Sequence, residues 1–140
     1  MKFKHLALVI SLTAATAIAQ DLPKPQLRLV AVTDHVNNGH EVKIYEIEVV
    51  NRDEFDNDLF IAAPVLPPCG ENANASRTWM NVYRENKRRV YGWCVIPSSA
   101  ALASLKFMIP AADPQPKKIS IDMVDRAEGK VTRSNIIKIE

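Results

Sequence analysis

The sequence predicts an all-β domain, an immunoglobulin-like or fibronectin-III-like sandwich of seven to eight strands with one disulfide. Short segments of alternating apolar and polar residues are separated by turn residues along the chain. No stretch keeps the 3.6-residue period of a long helix. The chain also has two cysteines, Cys69 and Cys94, behind a segment typical of exported proteins. These three observations together favour a small exported β-sandwich.

The first 19 residues are typical of a secretory signal peptide. Lys2 and Lys4 precede an apolar run at 6–12, and small residues end in an Ala-Ile-Ala motif at 17–19. The apolar run is shorter than the roughly 20 residues that cross a bilayer. We therefore expect a periplasmic or extracellular protein with no membrane span in the mature chain, whose single domain covers residues 20–140.

Charge argues against a nucleic-acid partner. The chain has 18 Lys and Arg against 16 Asp and Glu, and removal of Lys2 and Lys4 with the signal leaves 16 against 16. Nucleic-acid binders usually carry net positive charge that collects phosphates. We therefore expect no nucleic-acid binding.

The first half of the domain contains two predicted strands joined by a tight turn. Alternation at 27–31 is followed by the turn signal Asn37-Asn38-Gly39, and alternation resumes at 45–49. A short apolar strand is predicted at 59–61. A proline-rich connection at 64–68 then leads to Cys69.

The second half begins with a predicted hairpin, 78–83 and 89–95, around a turn at 85–88. Residues 98–105 fit either a helical turn or a plain turn, and we interpret them as a turn that leads into a strand at 106–109. Alternation at 119–123, a turn at Glu128-Gly129 and a return segment at 131–139 complete the chain.

Cys69 and Cys94 are predicted to form a disulfide, the single pairing that two cysteines allow. A zinc or redox site would need CxxC spacing or a nearby histidine, and the sequence offers neither. Closing a loop of this size stabilises a fold by roughly 3 kcal/mol.

The segment 53–58 is the one candidate metal site. Its five oxygen-bearing side chains, with Asp53, Asp56 and Asp58 as the candidate ligands, are of the kind that calcium prefers. EF-hand spacing is absent, since Phe55 stands where a ligand belongs and no turn glycine follows. We favour a solvated polar loop, with calcium as the alternative and no other cofactor.

Catalytic residues are sparse. After the signal, only His35 and His40 remain, and they flank a predicted turn. No G-x-S-x-G motif occurs, and Glu46 and Glu48 fall on the solvent face of a predicted strand. A small hydrolase is therefore the least favoured function.

The predicted hairpin is the candidate binding surface, because it concentrates the residue types that dominate protein interfaces. These residues are Trp79, Tyr83, Arg84, Arg88, Arg89, Tyr91 and Trp93. A two- or four-residue loop would place Tyr91 and Trp93 beside Met80 and Val82, as in a core. A three-residue loop would place all four aromatic residues on one face.

The run Pro-Cys-Gly-Glu-Asn-Ala-Asn-Ala-Ser-Arg-Thr-Trp at 68–79, with Tyr-Gly-Trp-Cys at 91–94, resembles a family of small bacterial secreted β-rich proteins. The shared pattern is PCGxNxNASRTW...YGxC, and Arg-Ser-Asn at 133–135 is similar as well. The resemblance implies a bacterial, exported, β-rich domain and implies no particular activity.

The polar residues of this run favour a loop that bonds to its own backbone, with a ligand-binding loop as the alternative. Two functions thus stand ahead of an enzyme. The first is a non-catalytic binding or adaptor module for a protein or envelope partner. The second is a structural or assembly component of the envelope or extracellular matrix, which would self-associate.

Overall fold

The structure is a computed structural model that describes residues 21–71 and 74–140, so the predicted signal peptide lies outside the described residues. The described residues form eight strands and three short 3₁₀ helices. The strands are β1 (Leu27–Asn37), β2 (His40–Val49), β3 (Thr78–Arg84), β4 (Arg89–Trp93), β5 (Leu105–Pro110), β6 (Lys118–Asp125), β7 (Lys130–Arg133) and β8 (Ile137–Lys138). The 3₁₀ helices are Arg52–Glu54, Asn57–Phe60 and Ser99–Ala103.

Two antiparallel sheets face each other. The smaller sheet has the order β1-β2-β5, and the larger has the order β4-β3-β6-β7, with β8 also paired to β6. A single hydrophobic core lies between them, to which both sheets contribute. This confirms the prediction of an all-β sandwich.

Strand β5 shows how sequence alternation builds the core. Leu105, Phe107 and Ile109 are buried, whereas the intervening residues are exposed. Successive side chains of a strand point to opposite faces, so this alternation turns one face of β5 inward. Phe107 stacks on Tyr45 of β2, with ring centroids 5.1 Å apart. The inner faces of the sheets are thus held by close aromatic and aliphatic packing.

The turn between β1 and β2 confirms the predicted hairpin. Asn38 and Gly39 have φ angles of 50° and 81°, the left-handed conformation that a two-residue hairpin turn requires. Strand β1 extends to Asn37, beyond the predicted 27–31, and its register shifts between Leu29 and Ala31. The shift marks a β-bulge, which adds a residue that simple alternation does not anticipate.

The predicted strand at 59–61 was wrong, because this segment lies in the 3₁₀ helix Asn57–Phe60 and the residue after it. The Asp56 side chain accepts a hydrogen bond from the backbone N–H of Asp58, 3.0 Å away. Such an aspartate favours a local turn over an extended strand. The buried Phe60 then anchors the helix to the core.

Two other segments differ in detail from the expectation. The turn predicted within 98–105 is the 3₁₀ helix Ser99–Ala103, which places Leu102 in the core. The return segment 131–139 is divided into β7 and β8. Ser134 lies at this division, and its hydroxyl accepts a hydrogen bond from the backbone N–H of Ile121 at 2.9 Å.

Candidate functional site

The β3–β4 hairpin turns through three residues, Glu85 to Lys87. The Arg84 N–H donates to the Arg88 carbonyl at 3.0 Å, and Lys87 takes a φ of 59°. The turn is therefore the three-residue loop that was one of the two alternatives considered for the sequence.

A three-residue loop was expected to place all four aromatic residues on one face, but a register shift next to the turn changes this arrangement. Tyr83 pairs with Arg89, but Val82 pairs with Tyr91, so Val90 is an extra residue on β4. A bulge of this kind moves the following residues to the other face of the strand. Tyr91 and Trp93 consequently lie beside Val82 and Met80 on the inner face, as the other alternative proposed.

The inner aromatic residues of the hairpin belong to the edge of the core. The Trp93 ring lies 5.1 Å from Tyr91 and 6.0 Å from Phe107, both edge-to-face, and Tyr91 stacks on Phe107 at 5.8 Å. Trp93 packs against the buried cluster, and Tyr91 is 37% exposed. These contacts give both rings a packing role.

Trp79 lies on the outer face but is covered. The Arg126 guanidinium lies 4.2 Å from the centre of its ring. Arg126 also donates to the carbonyls of Pro67 at 2.5 Å and Ser76 at 2.7 Å. The loop before β3 and the Trp79 ring are therefore joined through a single arginine, which the sequence analysis did not identify.

The loop that contains Cys69 is fixed by several long-range bonds. The Cys69–Cys94 disulfide is present, which confirms the predicted pairing. The buried Ser76 hydroxyl donates to the Ile96 carbonyl at 3.0 Å and accepts from the Ile96 N–H at 2.6 Å. Arg77 binds Asp125 through two hydrogen bonds of 2.9 and 2.8 Å. These bonds hold the pKa of the Asp125 carboxyl below its usual value.

The candidate calcium ligands lie on the 3₁₀ helices Arg52–Glu54 and Asn57–Phe60 and between them. Asp53, Asp56 and Asp58 are exposed, and Phe55 between them is buried. Within residues 21–71 and 74–140, no three His, Cys, Asp or Glu side chains are grouped to hold a metal ion. In this structure the segment anchors the chain to the core through its aromatic residue.

The two glutamates of β2 are engaged by neighbouring basic residues. Glu48 is paired with Arg28, and Glu46 accepts from the Ser104 hydroxyl at 2.7 Å and pairs with Lys106 at 3.5 Å. The Ser104 bond and the Lys106 charge lower the pKa of the Glu46 carboxyl. Both carboxylates are therefore engaged in contacts with neighbouring residues of the fold.

Six basic residues lie in the β3–β4 turn, in the β5–β6 connection or at the adjoining strand ends, and we call these segments, 84–89 and 111–118, the basic end. The basic residues are Arg84, Lys87, Arg88, Arg89, Lys117 and Lys118. The acidic residues of the same segments are Glu85 and Asp113. The basic end therefore has an excess of positive charge, although residues 20–140 as a whole have equal numbers of basic and acidic side chains.

Glu85 joins the two segments of the basic end. Its carboxylate accepts from the backbone N–H groups of Lys117 at 3.1 Å and Lys118 at 3.4 Å, and pairs with Arg84 at 3.3 Å. Its own backbone N–H, the Lys117 N–H and Arg84 lower its pKa to about 2. Glu85 is thus charged at neutral pH and occupied with internal bonds.

A cavity of about 250 Å³ lies between the turn and β5, and we call it the arginine cavity. Arg84, Arg88 and Arg89 line it, together with Asp113 and two prolines, Pro110 and Pro114. Three arginine residues thus line one concave surface, and a guanidinium is suited to a carboxylate or another planar oxyanion.

The three arginines differ in how they are held. Arg84 is 14% exposed, donates to the Pro114 carbonyl at 3.1 Å, and leaves its buried Nε without a partner. Arg89 donates from Nε to the Tyr91 carbonyl at 3.4 Å. The exposed Arg88 guanidinium makes no ion pair or hydrogen bond with residues 21–71 or 74–140. The cavity therefore combines a positioned arginine with one that is free to bind.

Of the seven predicted binding residues, the structure brings the three arginines to one cavity and divides the four aromatic residues into two pairs, one on each face of the hairpin. Tyr83 lies on the outer face, where Arg133 lies 5.6 Å from the centre of its ring. The sequence analysis missed Lys117 and Lys118. Their adjacent positive charges after a proline-rich connection were the signal that could have identified them.

No family model, no curated protein and no solved structure matches the chain. In the described part of the chain, no helix is long and apolar enough to cross a membrane. What the fold and the site define is a small disulfide-bonded β-sandwich with a basic end.

Proposed function

We propose that this chain is an exported, non-catalytic binding or adaptor module that holds an acidic segment of a protein partner at its basic end. The observation that carries this proposal is the arginine cavity, in which Arg84, Arg88 and Arg89 line one concave surface. The predicted signal peptide and the disulfide support the choice of an exported or envelope partner.

The local charge favours an acidic ligand. Glu85 is committed to internal hydrogen bonds and does not line the arginine cavity, whose lining contains one acid, Asp113. A peptide carboxylate can form two parallel hydrogen bonds with one guanidinium, which gives direction as well as attraction. Arg88 offers such a group without first breaking an existing pair.

The rigidity of the basic end supports a binding role. Glu85 and Arg84 join the β3–β4 turn to the β5–β6 connection, so the loops that line the cavity hold each other in place. A preformed site loses less conformational entropy on binding than a flexible one. Loops positioned by a rigid sandwich are also a common location for binding sites.

The finer fold assignment belongs to this proposal. A three-stranded sheet, β1-β2-β5, faces a larger sheet with the order β4-β3-β6-β7. This arrangement supports an immunoglobulin-like or fibronectin-III-like sandwich, an architecture that many extracellular binding modules share.

A second candidate function is an assembly component, and the edge of the smaller sheet favours it. Strand β1 has 11 residues and, among the described residues, pairs with β2 alone. Val30 and Val36 on this strand are 50% and 60% exposed. Open edge strands can pair with another chain. The mass in solution at increasing concentration separates the two functions, since an assembly component forms oligomers without a partner.

We expect a fluorescently labelled peptide that contains three glutamates to bind the protein, and its glutamine analogue to bind far more weakly. In the double variant Arg88→Ala/Arg89→Ala, the affinity for the glutamate peptide should fall about fivefold, because each exposed ion pair contributes about 0.2–1 kcal/mol. Fluorescence anisotropy at about 0.15 M salt measures both affinities.

The matched control is Lys24→Ala/Lys106→Ala, which removes two positive charges outside the basic end. This variant should keep the wild-type affinity, since screening makes distant surface charges nearly irrelevant. Equal binding of the glutamate and glutamine peptides, or an equal loss in the control, contradicts the proposed function.

A further inference from the structure

A second cavity, of about 220 Å³, lies beside Arg84 and Tyr83, and we call it the outer cavity. Tyr83 and Ile136 supply apolar surface to its lining, and Lys87 and Lys118 contribute to it as well. Arg84 lines both this cavity and the arginine cavity. The two cavities are therefore neighbours at the same end of the sandwich.

The groups around the outer cavity divide into engaged and free ones. Arg133 binds Asp122 through hydrogen bonds of 2.6 and 2.8 Å while lying over the Tyr83 ring. Its charge is thus compensated, and it orients the ring that lines the cavity. The ammonium groups of Lys87 and Lys118 make no ion pair or hydrogen bond within the described ranges.

Ile136 presents apolar surface at this site. It is 66% exposed, although a large aliphatic side chain gains free energy when it leaves water. It lines the same cavity as Tyr83, whose ring is partly buried. An apolar surface bordered by two free ammonium groups matches a ligand that is apolar in one part and acidic beside it.

We propose that the outer cavity binds a large apolar side chain of the partner segment whose acidic residue occupies the arginine cavity. This inference rests on the proposed function and adds to it the chemistry of the partner, a segment in which a large apolar residue adjoins acidic residues. Because Arg84 lines both cavities, the two anchors are near neighbours in the ligand sequence. Successive side chains of an extended peptide point to opposite sides, which lets one peptide reach both cavities around Arg84.

The affinity from the apolar contact should persist in salt, whereas the affinity from the ionic contact should not. Exposed ion pairs weaken as salt screens them, whereas burial of apolar surface persists in salt. Interfaces commonly gain most of their affinity from a few apolar anchors, with charges setting orientation and partner choice. In the proposed complex, the outer cavity holds the apolar anchor and the arginine cavity holds the charge that sets orientation.

The test uses two glutamate-containing peptides, one with a central leucine and one with serine in its place. We expect wild-type protein to bind the leucine peptide about tenfold more tightly, and the difference to persist at high salt. In Ile136→Ser, the affinity for the leucine peptide should fall to that of the serine peptide, while the serine peptide binds as before.

The matched control is Val131→Ser, because Val131 is 59% exposed on β7 and does not line the outer cavity. It should keep the full difference between the two peptides. Both replaced residues are exposed, so unchanged melting temperatures should accompany both variants.

Three results overturn the inference. The first is equal binding of the leucine and serine peptides to wild-type protein, which leaves the proposed function standing if both require their glutamates. The second is a leucine preference that survives in Ile136→Ser. The third is tight binding of a leucine peptide whose glutamates are replaced by glutamines, since the anchors then act without the acid. If neither glutamate peptide binds wild-type protein, the proposed function fails and the inference falls with it.

Discussion

Replacing Phe107 with alanine is expected to lower the free energy of unfolding by about 4 kcal/mol, the usual cost of removing a buried phenylalanine. Phe107 is 2% exposed, and its ring contacts those of Tyr45, Tyr91 and Trp93. The substitution removes apolar surface from the core and leaves a cavity where the two sheets meet. Urea unfolding, followed by tryptophan fluorescence and circular dichroism, measures the loss.

The neighbouring residue gives a matched control for this prediction. Met108 follows Phe107 on β5, points to the other face and is 44% exposed. Met108→Ala should cost less than about 1 kcal/mol, as for surface substitutions in general. Comparable losses in the two variants would show that β5 does not place Phe107 between the sheets.

Replacing both cysteines with serine is expected to lower the free energy of unfolding by about 3 kcal/mol. Cys69 and Cys94 are separated by 25 residues, and their bond joins the loop before β3 to the end of β4. Without the crosslink the unfolded chain gains conformational freedom, so unfolding becomes more favourable. Urea unfolding of the double variant and of wild-type protein gives the difference.

Wild-type protein in the presence of a reductant serves as the control for the cysteine variant. Its stability should match that of Cys69→Ser/Cys94→Ser, because both lack the same bond. A loss below about 1 kcal/mol in both samples would contradict the expectation that the crosslink stabilises the fold by restricting the unfolded chain.

The sandwich could be predicted because its strands alternate and because turn residues mark their ends. The core residues Phe107, Ile119 and Ile121 follow that alternation, and Asn38-Gly39 forms the predicted turn. The disulfide required no geometric information, since two cysteines allow one pairing. These features depend on neighbouring residues in the chain, which a sequence displays directly.

The features that could not be predicted depend on competition between local conformations or on contacts between residues far apart in the chain. The predicted strand at 59–61 does not form, because the Asp56 side chain accepts a hydrogen bond from the Asp58 N–H and favours a 3₁₀ helix there. The extra residue Val90 decides which face of β4 carries Tyr91, and alternation does not reveal a bulge. The position of Arg126 over Trp79 depends on the fold of a segment far along the chain.

The candidate site was predictable in part for the same reason. The three arginines could be named because they flank one short turn in the sequence. Their cavity depends on the β5–β6 connection, which Glu85 reaches through Lys117, 32 residues further along the chain. The residues beside the β3–β4 turn are close in sequence and could be predicted, whereas the β5–β6 connection joins the site only through the fold.

The most direct test of the account is a map of where an acidic peptide binds. We would record amide nuclear magnetic resonance spectra of the protein of residues 20–140 while adding the glutamate-containing peptide. The account predicts that the largest shifts fall in the basic end, at residues 84–89 and 111–118. Shifts concentrated elsewhere, such as on the 53–58 segment or along β1, or no shifts at millimolar peptide, would contradict it.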